Sequence, residues 1–386
     1  MSLYSLLVGQ DHVVEILRHA VEGAQDSLDG GPGQAMTHAW LFTGPPGSGR
    51  STAARVFAAA LQCPDGGCGT CSACRTSLRG THADVHLVFT EGLSIKVEEV
   101  RHLVLEAAAA PTQGRWRVIV IEDADRLTEQ ANNALLKTLE EPVPHTVWLL
   151  CAPSVEDLLP TIRSRSRHVQ LVTPAAVAVA AHLVEREGVD PAIAAFAARA
   201  SQGHIGRARG LATDEQTRLR RSAVLDVPLH LRDLGQCMVA AQDLMDAADE
   251  QADTVTAERD DGERDDLARA LGVENPKRVP HWARIQFREL KDAQKVRQKR
   301  GIRDALDRAL LDLASFYRDV LMVQAGADVP LVNDEVRSHV SRVAADSTPE
   351  ATVRRMEAIV TARDRIQGNA APQLAVENLM LTLARN

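Results

Sequence analysis

Residues 42–51 read FTGPPGSGRS, with the apolar run HAWLF before them and a helical pattern after them at residues 52–61 that places Ala53, Val56, Phe57 and Ala60 on one face. Strand, glycine-rich loop and helix in this order make a phosphate-binding loop of the form G-x-x-x-x-G-K-[ST], met at Gly44, Gly49 and Ser51. Glycines let successive backbone N–H groups turn toward phosphate oxygens. The following helix adds its positive N-terminal end, and Ser51 stands where a hydroxyl reaches a magnesium ion. The candidate phosphate-contacting set is therefore Gly44, Gly47, Gly49, Arg50, Ser51 and Thr52. The lysine position holds Arg50, a planar fork in place of a compact point charge, and that exchange is not conservative. Only 6 of the 44 basic residues of this chain are lysines, so drift toward arginine is the plainer explanation. Drift at this position itself points to relaxed catalysis.

Outward from the loop, strand candidates recur at residues 85–89, 118–121, 147–150 and 168–172, with helical stretches at residues 97–110 and 128–139 between them. This alternation predicts an α/β fold with a parallel sheet covered on both faces. A helix is expected at residues 11–21, followed by the loose segment DSLDGGPGQ at residues 26–34. Residues 174–212 read as three short helices punctuated by Gly188, Pro191 and Gly203, in the manner of a small helical lid. Beyond residue 213 no strand signal survives. Amphipathic helices are expected at residues 219–247 and 302–324, and a last one at residues 348–384 is interrupted near Gly368 and Pro372. A charged insertion occupies about residues 247–300: residues 258–266 carry six acidic residues against two arginines, and residues 284–303 eight basic residues against two acidic ones. Such runs read as a solvated helix or a flexible connector. The sharper alternative is a phosphate-contacting stripe of Arg284, Arg288, Lys291 and Lys295, whose spacing of four, three and four shares one helical face.

With 386 residues and 45% hydrophobic content the chain can bury a substantial core and divides into two or three domains. Its net charge of −8 gives no whole-molecule attraction to nucleic acid, so any such contact is a local patch. No apolar run reaches the roughly 18 residues of a membrane span, and residues 3–8 are too short for a secretory core, so a cytoplasmic protein is expected. Four of the six cysteines form Cys63-x4-Cys68-x2-Cys71-x2-Cys74. In a reducing compartment that spacing favours metal over disulfides, and four thiolates complete a closed tetrahedral zinc site of structural kind. Gly66, Gly67 and Gly69 let the chain fold around one ion. An iron–sulfur cluster is the alternative. Cys151 and Cys237 read as packed apolar residues.

Residues 121–142 read IEDADRLTEQANNALLKTLEEP. An acidic pair ending a buried strand beside a phosphate loop is where a P-loop ATPase keeps a magnesium-organising Asp and a water-activating Glu. Here the order is inverted. Glu122 is one methylene too long for the first role and Asp123 one too short for the second, and catalytic geometry is sensitive to about 1 Å. The structural alternative is that Glu122, Asp123 and Asp125 cap the next helix.

Taken together, LVGQDHVVEILRHAV near the start, GPPGSGRS, the cysteine cluster, NNALLKTLEEP and SRSR resemble the bacterial clamp-loader subunits of the AAA+ class over residues 1–212. The resemblance implies an AAA+ α/β module at residues 1–173 carrying the zinc insertion at residues 63–74, a three-helix lid at residues 174–212, and a helical collar that oligomerises at residues 213–386. Motor members of the family keep the loop lysine, an Asp-Glu pair, threonines after the fourth strand and a lid arginine. This chain has Arg50, Glu122-Asp123, Cys151-Ala152-Pro153 and Gly206 there, with Arg207 one residue away. Ser164-Arg165-Ser166, by contrast, is similar to the family's Ser-Arg-Cys motif, whose arginine reaches a neighbour's ATP site, although Ser166 replaces the cysteine. The resemblance thus implies a mainly non-hydrolysing subunit of a DNA polymerase holoenzyme that supplies Arg165 in trans, with ATP or ADP bound weakly or not at all. Implied partners are the motor (gamma/tau) and delta subunits in a ring, with the sliding clamp and primed DNA met through the assembly, and no membrane. Two other readings stay open: an active AAA+ ATPase of the gamma/tau type, and a zinc-containing nucleic-acid-binding module.

Overall fold

The computed structural model describes residues 2–90, 94–273, 279–368 and 370–384. The chain forms two compact units, Met1–Thr213 and Asp214–Asn386.

In the first unit the described residues build one five-stranded parallel sheet in the order β2-β3-β4-β1-β5, from β1 (Ala39–Thr43), β2 (Val85–Val88), β3 (Arg117–Ile121), β4 (Thr146–Ala152) and β5 (Arg167–Gln170). The helices are α1 (Asp11–Leu28), α2 (Arg50–Gln62), α3 (Ser72–Arg79), α4 (Val97–Ala107), α5 (Glu129–Glu140) and the short α6 (Pro160–Arg163). Strands β1, β3 and β4 are buried at every residue, which is why they read as unbroken apolar runs rather than alternating ones. One face packs on α1 and α2 through Leu17, Phe57 and Trp40, whose rings meet edge to face at 4.9 Å. The other packs on α4 and α5 through Val100, Leu135 and Trp148. Helices α7 (Ala176–Glu187), α8 (Pro191–Ala200) and α9 (Ile205–Thr213) follow with an alanine-rich core of their own, joined by Val8.

The first unit departs from expectation at two helices. α1 runs to Leu28, into the segment read as loose, and α3 forms inside the cysteine cluster where no helix was expected.

The second unit is all helical among its described residues: α10 (Glu215–Asp226), α11 (Leu234–Leu271), α12 (Arg284–Gln324), α13 (Arg337–Ala345), α14 (Pro349–Gln367) and α15 (Pro372–Ala384). The helix expected at residues 219–247 is two. Pro228 sits in a short 3₁₀ turn, and Asp233 restarts the chain by accepting from the Gln236 backbone N–H at 2.9 Å. The charged segment at residues 247–300 is neither a separate insertion nor a flexible connector across its described residues. It is the distal part of an antiparallel hairpin made by α11 and α12, 38 and 41 residues long; residues 274–278 lie outside the described residues. The opposite charges of the two runs pair across it: Arg297 reaches both Asp260 and Glu263, and Gln298 donates to Asp253 at 2.7 Å. At the other end of the hairpin Leu310, Phe316 and Tyr317 join Ile359 and Met380 in the main core. Beside it lies a buried polar network in which Arg221 bonds Asp312, Asn333 and Glu335, while Asp319 accepts from the Asn333 backbone at 2.7 Å.

Candidate functional site

The glycine loop leaves the C-terminal end of β1, which lies between β4 and β5, and enters α2. Gly47 and Gly49 have φ of 84° and 94°, the left-handed region that favours glycine, and Gly49 is the residue before the first turn of α2. Ser51 and Thr52 stand half-buried in that first turn. The chain's own groups already occupy much of the loop. Gly44 donates its N–H to the Pro153 carbonyl at 3.2 Å, and the Arg50 guanidinium folds back to donate to the Gly44 carbonyl at 2.7 Å. Burial holds Arg50 below the usual arginine range, with Cys151 and the acidic groups of Asp125 and Asp123 opposing that shift. Gln10 bridges the loop to the segment after β5, donating to the carbonyls of Ser48 at 3.3 Å and Val172 at 2.6 Å. His204, just before α9, rests on the loop so closely that a Cβ on Gly47 would fall 2.3 Å from its Cγ.

The acidic pair follows β3 at the same edge of the sheet. Glu122 is 13% exposed and its carboxylate accepts from Arg55 of α2 at 2.5 Å. The side chain at the position of a magnesium-organising carboxylate is thus already engaged by a cation of its own chain. Asp123 precedes a 3₁₀ turn at Ala124–Arg126 that contains Asp125, whose carboxyl is pushed up by burial. None of these three caps α5. Thr128 does, accepting from the Ala131 N–H at 3.3 Å, so the capping alternative is set aside. Cys151, Ala152 and Pro153 close the end of β4, where the Cys151 thiol is fully buried and pushed up first by desolvation and then by Glu122. Gly206 and Arg207 lie in the first turn of α9.

Arg165 lies at the opposite end of the sheet. β5 runs parallel to β1 with Arg167 beside Trp40 and Gln170 beside Thr43, so Arg165 precedes the N-terminal edge while the glycine loop follows the C-terminal one. About 10 Å of strand separates the two edges. The guanidinium pairs with Glu140 at 2.6 Å and donates to the Thr161 carbonyl at 2.9 Å and to Ser164 Oγ at 3.2 Å, with 35% of the side chain exposed.

The cysteines converge. The Sγ atoms of Cys63, Cys68, Cys71 and Cys74 all lie within 4.8 Å of one another, with Cys63 to Cys68 at 3.6 Å and Cys63 to Cys71 at 3.8 Å. A tetrahedron with metal–sulfur bonds of about 2.3 Å has edges of about 3.8 Å, so the donor set fits one metal ion. Local structure builds it: Cys63 ends α2, Cys71 and Cys74 open α3, and Gly66, Gly67 and Gly69 turn the chain with φ of 63°, 115° and 80°. Backbone N–H groups of Cys68 and Cys74 point at the sulfurs of Cys63 and Cys71, each at 3.4 Å. Hydrogen bonds, first from the Thr70 backbone, bring the Cys68 thiol down to about 6, whereas burial pushes Cys74 up. The knuckle is fastened to the N-terminus by Tyr4 Oη donating to the Gly66 carbonyl at 3.1 Å and Leu3 N to the Gly67 carbonyl at 3.1 Å.

Four residues with a part in these sites carried no role in the sequence reading: Gln10, Arg55, Glu140 and His204. Gln10 and Glu140 stand inside the quoted motifs LVGQ and TLEE, which was the available signal. Arg55 and His204 gave none.

Residues 31–175 match the family model described as DNA polymerase III, delta subunit. Over 379 residues, 97% of this chain and 96% of the relative, the sequence is 27% identical to DNA polymerase III subunit delta' of Bacillus subtilis (strain 168). It is 33% identical over 210 residues to DNA polymerase III subunit gamma/tau of Mycobacterium bovis, covering 52% of this chain and 35% of that protein. The chain therefore spans about a third of the length of the gamma/tau relatives it matches. Among solved structures, a DNA polymerase III gamma subunit-related protein from Thermotoga maritima aligns over 95% of this chain and 98% of its own, with 16% identity and a TM-score of 0.40. No described helix is long and apolar enough to cross a membrane.

Proposed function

We propose that this chain, which belongs to the DNA polymerase III clamp-loader family, works as a delta-prime-type subunit that does not turn over ATP itself and completes a neighbouring subunit's ATP site with Arg165. The observation that carries the reading is the position of Arg165 across the sheet from its own glycine loop. A guanidinium there lies away from its own loop, and its pair with Glu140 is partly exposed, so another chain can reach it. Trans-supplied arginine stabilises charge on the transferring phosphoryl group through its planar fork.

The state of the chain's own loop supports the other half. Glu122 is engaged by Arg55, Arg50 by Gly44, and the Gly44 N–H by Pro153, so magnesium and phosphate must compete with bonds already made. The gamma/tau-type alternative rests on partial-length relatives, whereas likeness to the delta' subunit runs nearly end to end. Gamma/tau and delta subunits are the proposed neighbours in a ring, and the sliding clamp and primed DNA are met through it.

The cysteine site is read as structural zinc held by Cys63, Cys68, Cys71 and Cys74, a closed all-sulfur set with no open position for substrate. Bound zinc supplies folding free energy by holding the turn between α2 and α3. The chain's own part is to aim the four sulfurs and to brace the turn through Tyr4 and Leu3.

The test is reconstitution with the gamma/tau and delta subunits, sizing of the complex, and ATP turnover with native chain and with Arg165→Ala. Assembly with both chains, and lowered turnover only with the variant, supports the reading. Failure to assemble, or equal turnover, overturns it.

A further inference from the structure

The basic run on α12 is divided by the structure into two populations. Arg297 faces α11 and is used up by Asp260 and Glu263. Arg284, Arg288, Lys291 and Lys295 are exposed on a different face of the same helix. Among the described residues Arg284, Arg288 and Lys291 make no ion pair, and Lys295 makes only an exposed contact with Asp292 at 3.8 Å. Lys299, also exposed, continues the row by four more residues. Three of the chain's 6 lysines therefore stand at intervals of four on one helix, in a protein that otherwise carries its positive charge as arginine. At the start of the row Trp282 is 58% exposed, in the 3₁₀ turn that leads into α12. The pairing across the hairpin would hold without any of these side chains, so holding α11 to α12 does not account for them.

We propose that this face of α12 binds single-stranded nucleic acid, with Arg284, Arg288, Lys291 and Lys295 on successive phosphates and Trp282 as a platform for one base. From Arg284 to Lys295 the row covers about 16 Å of helix, which matches a polyanion rather than a single carboxylate or phosphate. Flexible lysines act as point charges toward a phosphodiester backbone without requiring a sequence. An exposed aromatic ring beside a basic track is the combination that binds unpaired bases, because stacking needs a free base face that a duplex withholds. The net charge of −8 confines such binding to this patch.

The experiment is fluorescence anisotropy of the full chain with a labelled 20-nucleotide oligothymidylate and with a duplex of equal length, between about 50 and 200 mM salt. Four phosphate contacts predict a log–log salt slope near −3 and a roughly 50-fold loss of affinity across that range. Arg284→Ala/Arg288→Ala/Lys291→Ala/Lys295→Ala should bring the slope close to zero. Single replacements should each lessen it by about 0.7, which keeps the test open if the fourfold variant folds poorly. Trp282→Ala should weaken the single strand about tenfold and leave the duplex unchanged. Native-like binding by the single-site variants, or absence of salt-dependent binding by the native chain, overturns the proposal. Equal affinity for duplex and single strand with no effect of Trp282→Ala overturns the assignment to single strands.

Discussion

The guanidinium of Arg165 lies 2.6 Å from the carboxylate of Glu140, the glutamate that ends α5. The partners are 35% and 49% exposed, so the pair holds the arginine in place without committing it. An exposed ion pair contributes about 0–1 kcal/mol, a small cost against the exchange of Glu140 for a phosphate anion that the proposed role of Arg165 requires.

Arg165→Ala should leave folding and assembly unchanged and lower ATP hydrolysis by the reconstituted complex. A supplied arginine is worth roughly 10³ to 10⁵ at one site, and intact sites elsewhere in a ring reduce the net effect. Lysine should rescue poorly because it keeps charge without the fork. Glu140→Gln, which leaves the arginine intact, should reduce turnover by far less. Steady-state phosphate release in the four complexes decides this, and equal loss from both substitutions would contradict it.

The isolated chain should show no appreciable ATP turnover, and Arg50→Lys alone should not restore it. That substitution returns the point charge but leaves Glu122 bonded to Arg55 and Gly44 bonded to Pro153. Turnover by Arg50→Lys at the level of a motor subunit, abolished by adding Ser51→Ala, would mean that arginine at this one position had been the whole defect.

The sheet was legible because its strands are buried on both faces, so AWLF and VIVI needed no partner to be recognised. The cysteine site was legible because its four ligands fall within twelve residues. What escaped depends on partners distant in sequence. Arg55 and Glu122 are 67 residues apart, and Arg297 meets Asp260 and Glu263 across 34 to 37. Read singly, the acidic and basic runs are indistinguishable from a connector; side by side they make a hairpin. Pro228 leaves no break in the sequence pattern because apolar periodicity resumes on its far side, and only Asp233 marks the new start.

Asp84 should give the first unit an acid-labile contribution. It is wholly buried, and burial alone would raise its carboxyl. Backbone N–H groups of Thr112, Gly114 and Gln113 overcome that and bring it to about 2. A carboxyl depressed in the folded state stabilises it fully above the unfolded value of about 4, and that stability is lost as pH falls toward 2. The shift corresponds to about 2 kcal/mol. Asp84→Asn should lower stability at neutral pH by a few kcal/mol, since it also removes the carboxylate paired with buried Arg117, and should flatten the stability profile between pH 4 and 2. Urea unfolding from pH 7 down to pH 2 measures both, and an unchanged profile in the variant would remove Asp84 as the cause.

One zinc ion per chain should copurify with the protein, and its loss should weaken the first unit. Four sulfurs gathered within 4.8 Å repel one another once ionised, so the cluster is costly without a cation and favourable with one. The strain would not stay local. Tyr4 and Leu3 tie the turn to the N-terminus, and Cys63 and Cys74 are part of the core that carries Phe57 and Trp40. Cys71→Ser should therefore abolish stoichiometric zinc and lower the unfolding midpoint, with Cys237→Ser, a buried cysteine of the second unit outside the four-cysteine set, leaving metal content intact. Elemental analysis with a chelator-treated control measures occupancy. A colourless protein with one zinc per chain supports the site. Iron with visible absorption would identify a cluster instead, and metal-free protein as stable as the native chain would show that the four cysteines hold their turn unaided.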